Sequence, residues 1–195
     1  MERELAGRQG RVLPELEAPE LIAIVAGAVA ELHDPGTIPA LANFALGTGG
    51  PPINALAAFG EQAAPAVLAV VMSPNSSHEK VDSGLITLRF MVEETAKHPL
   101  SPGTIDQIRR AAEKHLTTGK GVQVTTLWRA IDLAVVLNDA KLRDTVQSIA
   151  SDWNAVLKLG LEDSKLIEQT QKRAADGLAG ILPLPRPQSA DAVRP

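Results

Sequence analysis

The four residues Pro-Gly-Thr-Ile occur twice in this chain, beginning at Pro35 and again at Pro102. Each copy directly follows a small polar residue, Asp34 or Ser101. Such residues cap helices because a side-chain oxygen accepts a hydrogen bond from an early helical N–H. Proline suits the first helical position, where a backbone donor has no partner in any case. Both copies therefore predict the start of a helix.

A glycine-bearing break and a second apolar stretch follow each predicted helix start. The breaks lie at 47–50 and 119–121, where glycine allows a helix to end. The chain between the two motifs is long enough for a further helical pair. We predict roughly nine helices and find no convincing strand with a period of two. The second helices of the successive pairs are predicted at 51–59, 78–97, 122–138 and 162–180.

The composition is typical of closely packed helices. Aromatic residues make up 3% of the chain and hydrophobic residues 45%, so the core must consist of Ala, Leu, Val and Ile. The formal net charge is −4, which argues against a nucleic-acid partner. The longest apolar runs are too short for a membrane span. Because the chain has no Cys, it contains no disulfide, Cys–zinc site or thiol catalyst.

The two ends of the chain differ from its centre. Residues 1–18 are charged and lack an apolar run, so we predict a flexible segment and see no signal peptide. Residues 183–195 are rich in Pro and small polar residues, which predicts a disordered tail. The helical repeat domain is expected to span 19–182. The default location is the cytoplasm, and a leader removed before Met1 stays open as an alternative.

One window of the chain resembles HEAT repeats, as in bacterial proteins with HEAT-repeat domains. DPGTIPALANFAL at 34–46 opens a first helix, and INALAAFGEQAAPAVLAVV at 53–71 closes one repeat and opens the next. The resemblance implies an all-α fold, an armadillo-like α-solenoid of about four HEAT-like helical pairs. It also implies that the second helix of each pair lines a concave face. The residues that carry the resemblance are Asp34, Pro35, Ile38, Pro39, Ala40, Leu41, Ala55, Leu56, Phe59, Gly60, Ala64, Pro65 and Leu68.

Polar residues inside the apolar second helices are the candidate binding residues. Arg129 and Asp132 are three residues apart, so they share one face of an otherwise apolar helix. Two interpretations stay open: an ion pair that fixes the stacking of repeats, or a polar stripe that faces a protein ligand. Trp128 is either an interface anchor or a core residue. The predicted stripe consists of Asn54, Arg89, Trp128, Arg129, Asp132 and Arg173.

Three functions are compatible with these patterns. The leading hypothesis is a non-enzymatic scaffold that binds a protein or peptide on its concave face, because no catalytic motif is complete. The second is an enzyme or metal-dependent module with its site near Arg129 and Asp132. The third is a structural domain that docks into a larger assembly through its end helices. We predict no cofactor and no metal.

The stretch HEKVD at 78–82 approaches the zinc motif H-E-x-x-H but has Asp82 where the second His is needed. We therefore predict a helix start at this place, capped by Ser76 or Ser77.

Overall fold

The structure, a computed structural model, describes residues 18–32, 34–117 and 123–181, without the side chains of 18–23 and 30. Within these ranges the chain is all-helical, with ten α-helices, two short 3₁₀ turns and no strand. The helices are α1 (Ala18–Leu32), α2 (Ile38–Thr48), α3 (Pro51–Ala58), α4 (Ala64–Met72), α5 (His78–Glu93), α6 (Pro102–Thr117), α7 (Val124–Leu137), α8 (Ala140–Ser151), α9 (Trp153–Lys158) and α10 (Ser164–Leu178).

Three of the sequence predictions fall on other parts of the chain. The glycine break at 119–121 and the disordered tail at 183–195 lie outside the described residues. So does the flexible segment at 1–18, apart from its last residue, which begins α1.

Both Pro-Gly-Thr-Ile motifs lie at helix starts, but they differ in detail. Asp34 accepts a hydrogen bond from Gly36 N at 2.9 Å, and it caps a 3₁₀ turn that precedes α2. Pro35 therefore opens this turn and not the α-helix, so that part of the prediction is wrong. Ser101 caps α6 directly, because its Oγ accepts from Thr104 N at 3.2 Å.

A glycine turn separates α2 from α3, as predicted. Gly49 and Gly50 both have φ of 68°, a left-handed backbone that favours glycine. The tenth helix arises at Asp152, which ends α8 and caps α9 by accepting from Asn154 N at 2.8 Å. Sequence periodicity alone does not distinguish this interruption from a continuous helix.

The helices contact one another in two rows. Row A consists of α2, α4, α6 and α8, and each of these helices contacts the next. Row B consists of α1, α3, α5, α7 and α10, again with each helix contacting the next. Between the rows, α2 contacts α3, α4 contacts α5, α6 contacts α7 and α8 contacts α10. All four predicted second helices fall in row B.

The hydrophobic core lies between the two rows and is built from small aliphatic side chains, as the composition predicts. Leu56, Leu85 and Ile131 on row B are fully buried. The rows pack closely at Gly84 of α5, where an added Cβ would overlap the Cγ2 atom of Val71 on α4. None of the described helices combines the length and the apolar character needed to cross a membrane.

Candidate functional site

Asp132 is the centre of a charged network on row B. Its side chain is only 2% exposed. Arg173 of α10 donates from Nε to one carboxylate oxygen at 2.9 Å and from Nη2 to the other at 2.6 Å. Two parallel hydrogen bonds of this kind are the strong form of an arginine–carboxylate contact. The pair therefore ties α7 to α10.

Arg89 of α5 extends the network in the other direction. It is 3% exposed, and its Nη1 lies 3.8 Å from Asp132 Oδ2. Its Nε and Nη2 both donate to Glu93 Oε1 at 2.9 Å. A guanidinium buried this deeply needs carboxylate partners, since an unpaired buried charge is strongly unfavourable. Three consecutive helices of row B are thus joined by one set of ion pairs.

Arg129 is the most exposed member of the network. Its Nη1 lies 4.0 Å from Asp132 Oδ2, and its side chain is 34% exposed. Within the described part of the chain it donates no hydrogen bond. The nearest partner of Asp132 is therefore Arg173, 41 residues away in sequence, and not the arginine three residues away.

Trp128 uses its polar edge within the fold. Its Nε1 donates to Thr170 Oγ1 of α10 at 2.9 Å. The guanidinium of Arg173 lies 5.6 Å from the centre of a Trp128 ring, a distance at which cation and ring attract each other. The ring is half-buried and packs against the core. Its contacts favour the core interpretation, in which Trp128 links α7 to α10.

Asn54 lies beside this network. It lines a surface cavity of about 280 Å³ between α3 and the end of α5. Glu93 lines the same cavity while it accepts from Arg89, so the cavity adjoins the ion pairs. The structure therefore brings five of the six predicted stripe residues into direct contact and places the sixth at the adjacent cavity. The other residues of the cavity wall are Ala57, Phe90, Glu94, Ala96 and Lys97.

The central helices of row B run in the same direction. Asp82 accepts a hydrogen bond from Thr126, and about two turns later Arg89 meets Asp132. Since both contacts advance together along the two helices, α5 and α7 are parallel. Helices α7 and α10 are also parallel. Trp128 contacts Thr170, and about one turn later on both helices Asp132 contacts Arg173.

The long-range hydrogen bonds have a nearly constant spacing. Among the described residues, with one exception, every side-chain hydrogen bond that spans more than ten residues joins positions 40–44 apart. The exception is Lys141 to Glu113, 28 residues apart. A search for polar residues at this spacing would have indicated the Asp132–Arg173 pair.

Sequence reasoning also missed a polar cluster around Glu61, in the turn between α3 and α4. Glu61 accepts from Ser101 N and Ser101 Oγ, both at 2.9 Å, and from Thr104 Oγ1 at 2.6 Å. Glu61 therefore caps the start of α6 from forty residues away. These hydrogen bonds, above all the one from Thr104, hold the pKa of Glu61 below its usual range.

We expect Glu61→Gln to destabilise the protein by about 1 kcal/mol at neutral pH, because it weakens a helix cap. A lowered folded-state pKa stabilises the fold above the unfolded pKa of about 4.3, and this stability is lost as the pH falls through the folded pKa. The difference between wild type and variant should therefore shrink on acidification. Urea denaturation at neutral and acidic pH measures it, and a difference that grows with acid would contradict the expectation.

The HEKVD segment forms a helix start. Ser77 Oγ accepts from Lys80 N at 3.5 Å, which confirms it as the cap of α5. Asp82 is engaged by Thr126 of α7. No group of three or more His, Asp or Glu side chains that could hold a metal ion occurs among the described residues.

Comparisons with protein-family models, with curated proteins and with solved structures find no match to this chain. They add nothing to the resemblance to HEAT repeats, whose support rests on the chain's own residues and contacts.

Proposed function

We propose that this chain is a non-enzymatic α-solenoid of HEAT-like helical pairs that binds a protein or peptide on row B and needs no cofactor. The solenoid part of the proposal is supported by the order of contacts along the two rows. It is supported also by the 40–44 residue spacing, which agrees with the repeat length of HEAT and armadillo proteins, about 40–47 residues.

The parallel direction of the row B helices supports the same arrangement. In a stack of helical pairs, equivalent helices of successive pairs run in the same direction. In an up-and-down bundle, neighbouring helices run in opposite directions. The paired contacts from α5 to α7 and from α7 to α10 fit the stack.

The observation that carries the binding proposal is the charged network across three consecutive helices of row B. Three of its members, Arg89, Asp132 and Arg173, are engaged in fixing the helices to one another. Its most exposed arginine is Arg129, whose side chain is 34% exposed. We therefore assign the ion-pair interpretation of the stripe to Arg89, Asp132 and Arg173, and the ligand-binding interpretation to Arg129.

The enzyme alternative receives less support. A catalytic carboxylate needs an oxygen that can reach substrate or solvent. Both oxygens of Asp132 accept hydrogen bonds from Arg173, and the side chain is 2% exposed. This arrangement favours a structural carboxylate over a general acid or base.

One observation favours the third alternative, docking through an end helix. On α1, at one end of row B, Ile24 is 57% exposed, Val25 54% and Leu32 74%. Exposed apolar side chains grouped on one helix are typical of contact surfaces.

A photo-crosslinking experiment distinguishes binding at the centre of row B from docking through α1. A benzoylphenylalanine residue replaces Thr125 on row B, Asp144 on row A or Leu32 on α1, each in the full chain and each at an exposed position. We expect a host-lysate protein to be crosslinked from position 125 and not from position 144. Crosslinking only from position 32 would favour docking through α1, and crosslinking only from position 144 would contradict the proposal.

A further inference from the structure

We infer that the partner of row B is an acidic peptide segment, and that Arg129 binds one of its carboxylates. This inference rests on the proposed function, because it names the chemistry of the ligand for the same surface.

The charges of the network carry the argument. Three guanidinium groups, those of Arg89, Arg129 and Arg173, face two carboxylates, those of Asp132 and Glu93. Within these ion pairs one positive charge is therefore in excess, although the whole chain has a formal net charge of −4. A local positive site on an acidic protein attracts acidic ligands and directs them to one place.

Arg129 is the residue at which this excess charge is available. Asp132 has both oxygens engaged by Arg173, and Glu93 is engaged by Arg89. Arg129 is one-third exposed, and its single ion pair with the described residues is the 4.0 Å contact with Asp132. A guanidinium carries five N–H donors that match the two oxygens of a carboxylate. A ligand carboxylate would supply the hydrogen bonds that Arg129 lacks among the described residues.

The surroundings of Arg129 indicate what lies next to that carboxylate. Since α5 and α7 are parallel and Arg89 lies beside Asp132, position 86 of α5 is level with position 129 of α7, three residues earlier on each helix. Ile86 and Phe90 are both partly exposed and one turn apart on α5. Phe90 also lines the cavity of about 280 Å³. The ligand is therefore expected to carry an apolar side chain near its acidic one.

The same surroundings disfavour a polyanion. Glu93 and Glu94 line the cavity next to the network, and only Lys97 in its wall carries a positive charge. A nucleic acid or another row of phosphates would face these carboxylates. A ligand with a single carboxylate and an apolar neighbour can contact the guanidinium of Arg129 without approaching Glu93 and Glu94.

The test is a titration of the isotope-labelled full chain with two pools of blocked hexapeptides, followed by NMR. Each pool contains Leu at varied distances from one fixed position, which is Glu in the first pool and Gln in the second. We expect the Glu pool to shift the amides of α5 and α7 and to bind about tenfold more tightly than the Gln pool. Added salt should reduce the difference, because the contact is partly exposed.

Two arginine variants complete the test. Arg129→Gln is expected to abolish the preference for the Glu pool. Arg110→Gln is the matched control on row A, where the side chain is exposed and paired with Asp106, and it should keep the preference. Each variant's own spectrum shows whether it is folded.

The outcomes separate this inference from the proposed function. Equal binding of both pools on row B, or a preference that survives Arg129→Gln, would overturn the acidic ligand and leave the scaffold proposal standing. If neither pool shifts any amide of row B at millimolar concentration, the acidic peptide ligand is overturned, and crosslinking from position 125 decides the scaffold proposal separately.

Discussion

Replacing Asp132 by leucine is expected to lower the free energy of unfolding by about 3–5 kcal/mol. The substitution removes the carboxylate on which three arginines converge. Arg89, which is 3% exposed, would lose one of its two carboxylates, and Arg173 would lose both of its hydrogen-bond acceptors. Guanidine denaturation of wild type and variant, followed by circular dichroism, measures the loss.

Two further variants show whether the loss arises from unpaired charge. Replacing the three residues that join the helices, with Arg89→Met, Asp132→Leu and Arg173→Met together, should recover most of the stability, because aliphatic side chains of similar size need no partners. Asp106→Leu on row A removes a carboxylate that pairs with more exposed arginines and should cost much less. If Asp132→Leu costs no more than Asp106→Leu, the network does not hold the row B helices together.

Gly84→Val is expected to lower the free energy of unfolding by about 3 kcal/mol. Any Cβ at this position overlaps Val71 Cγ2, and Val71 is fully buried on the facing helix α4. Valine has one strongly preferred rotamer in a helix, so Val71 cannot turn away. The two rows would have to separate locally, or the new side chain would have to take a strained rotamer.

A second glycine provides the matched control. Gly27 also lies inside a helix, but a Cβ there meets no atom within 4 Å. Gly27→Val should therefore change stability by less than about 0.5 kcal/mol. In a Val71→Ala background, Gly84→Ala should cost less than in wild type, since the overlapping methyl group is gone. A neutral Gly84→Val would mean that the rows are farther apart at this point.

Local features of the fold could be predicted because they depend on a few neighbouring residues. The caps at Asp34 and Ser101 and the turn at Gly49 and Gly50 follow from the requirements of the backbone. The helical class follows from apolar periodicity. Four members of the charged network, Arg89, Arg129, Asp132 and Arg173, were recognisable for a similar reason, because a polar residue such as Asp132 is conspicuous in an apolar helix. Glu93, the partner of Arg89, was not predicted.

The partners within the network could not be predicted in this way. Neighbouring positions on one helix suggested Arg129 for Asp132, whereas the closest partner is Arg173 on the next helix of row B. That choice depends on how far one helix is shifted along another, which the packing of many aliphatic side chains determines. Glu61 was missed for the same reason, since its role depends on the position of α6.

The most direct test of the proposed solenoid is the distance between its first and last row B helices. Spin labels attached to Ala28→Cys on α1 and Glu168→Cys on α10 are unambiguous because the chain has no other cysteine, and both positions are exposed. Row B places four helix-to-helix steps of about 8–10 Å between them. Electron–electron double resonance should give a single distance of roughly 30–40 Å. A distance below about 20 Å would mean that the helices close into a bundle, and it would contradict the solenoid.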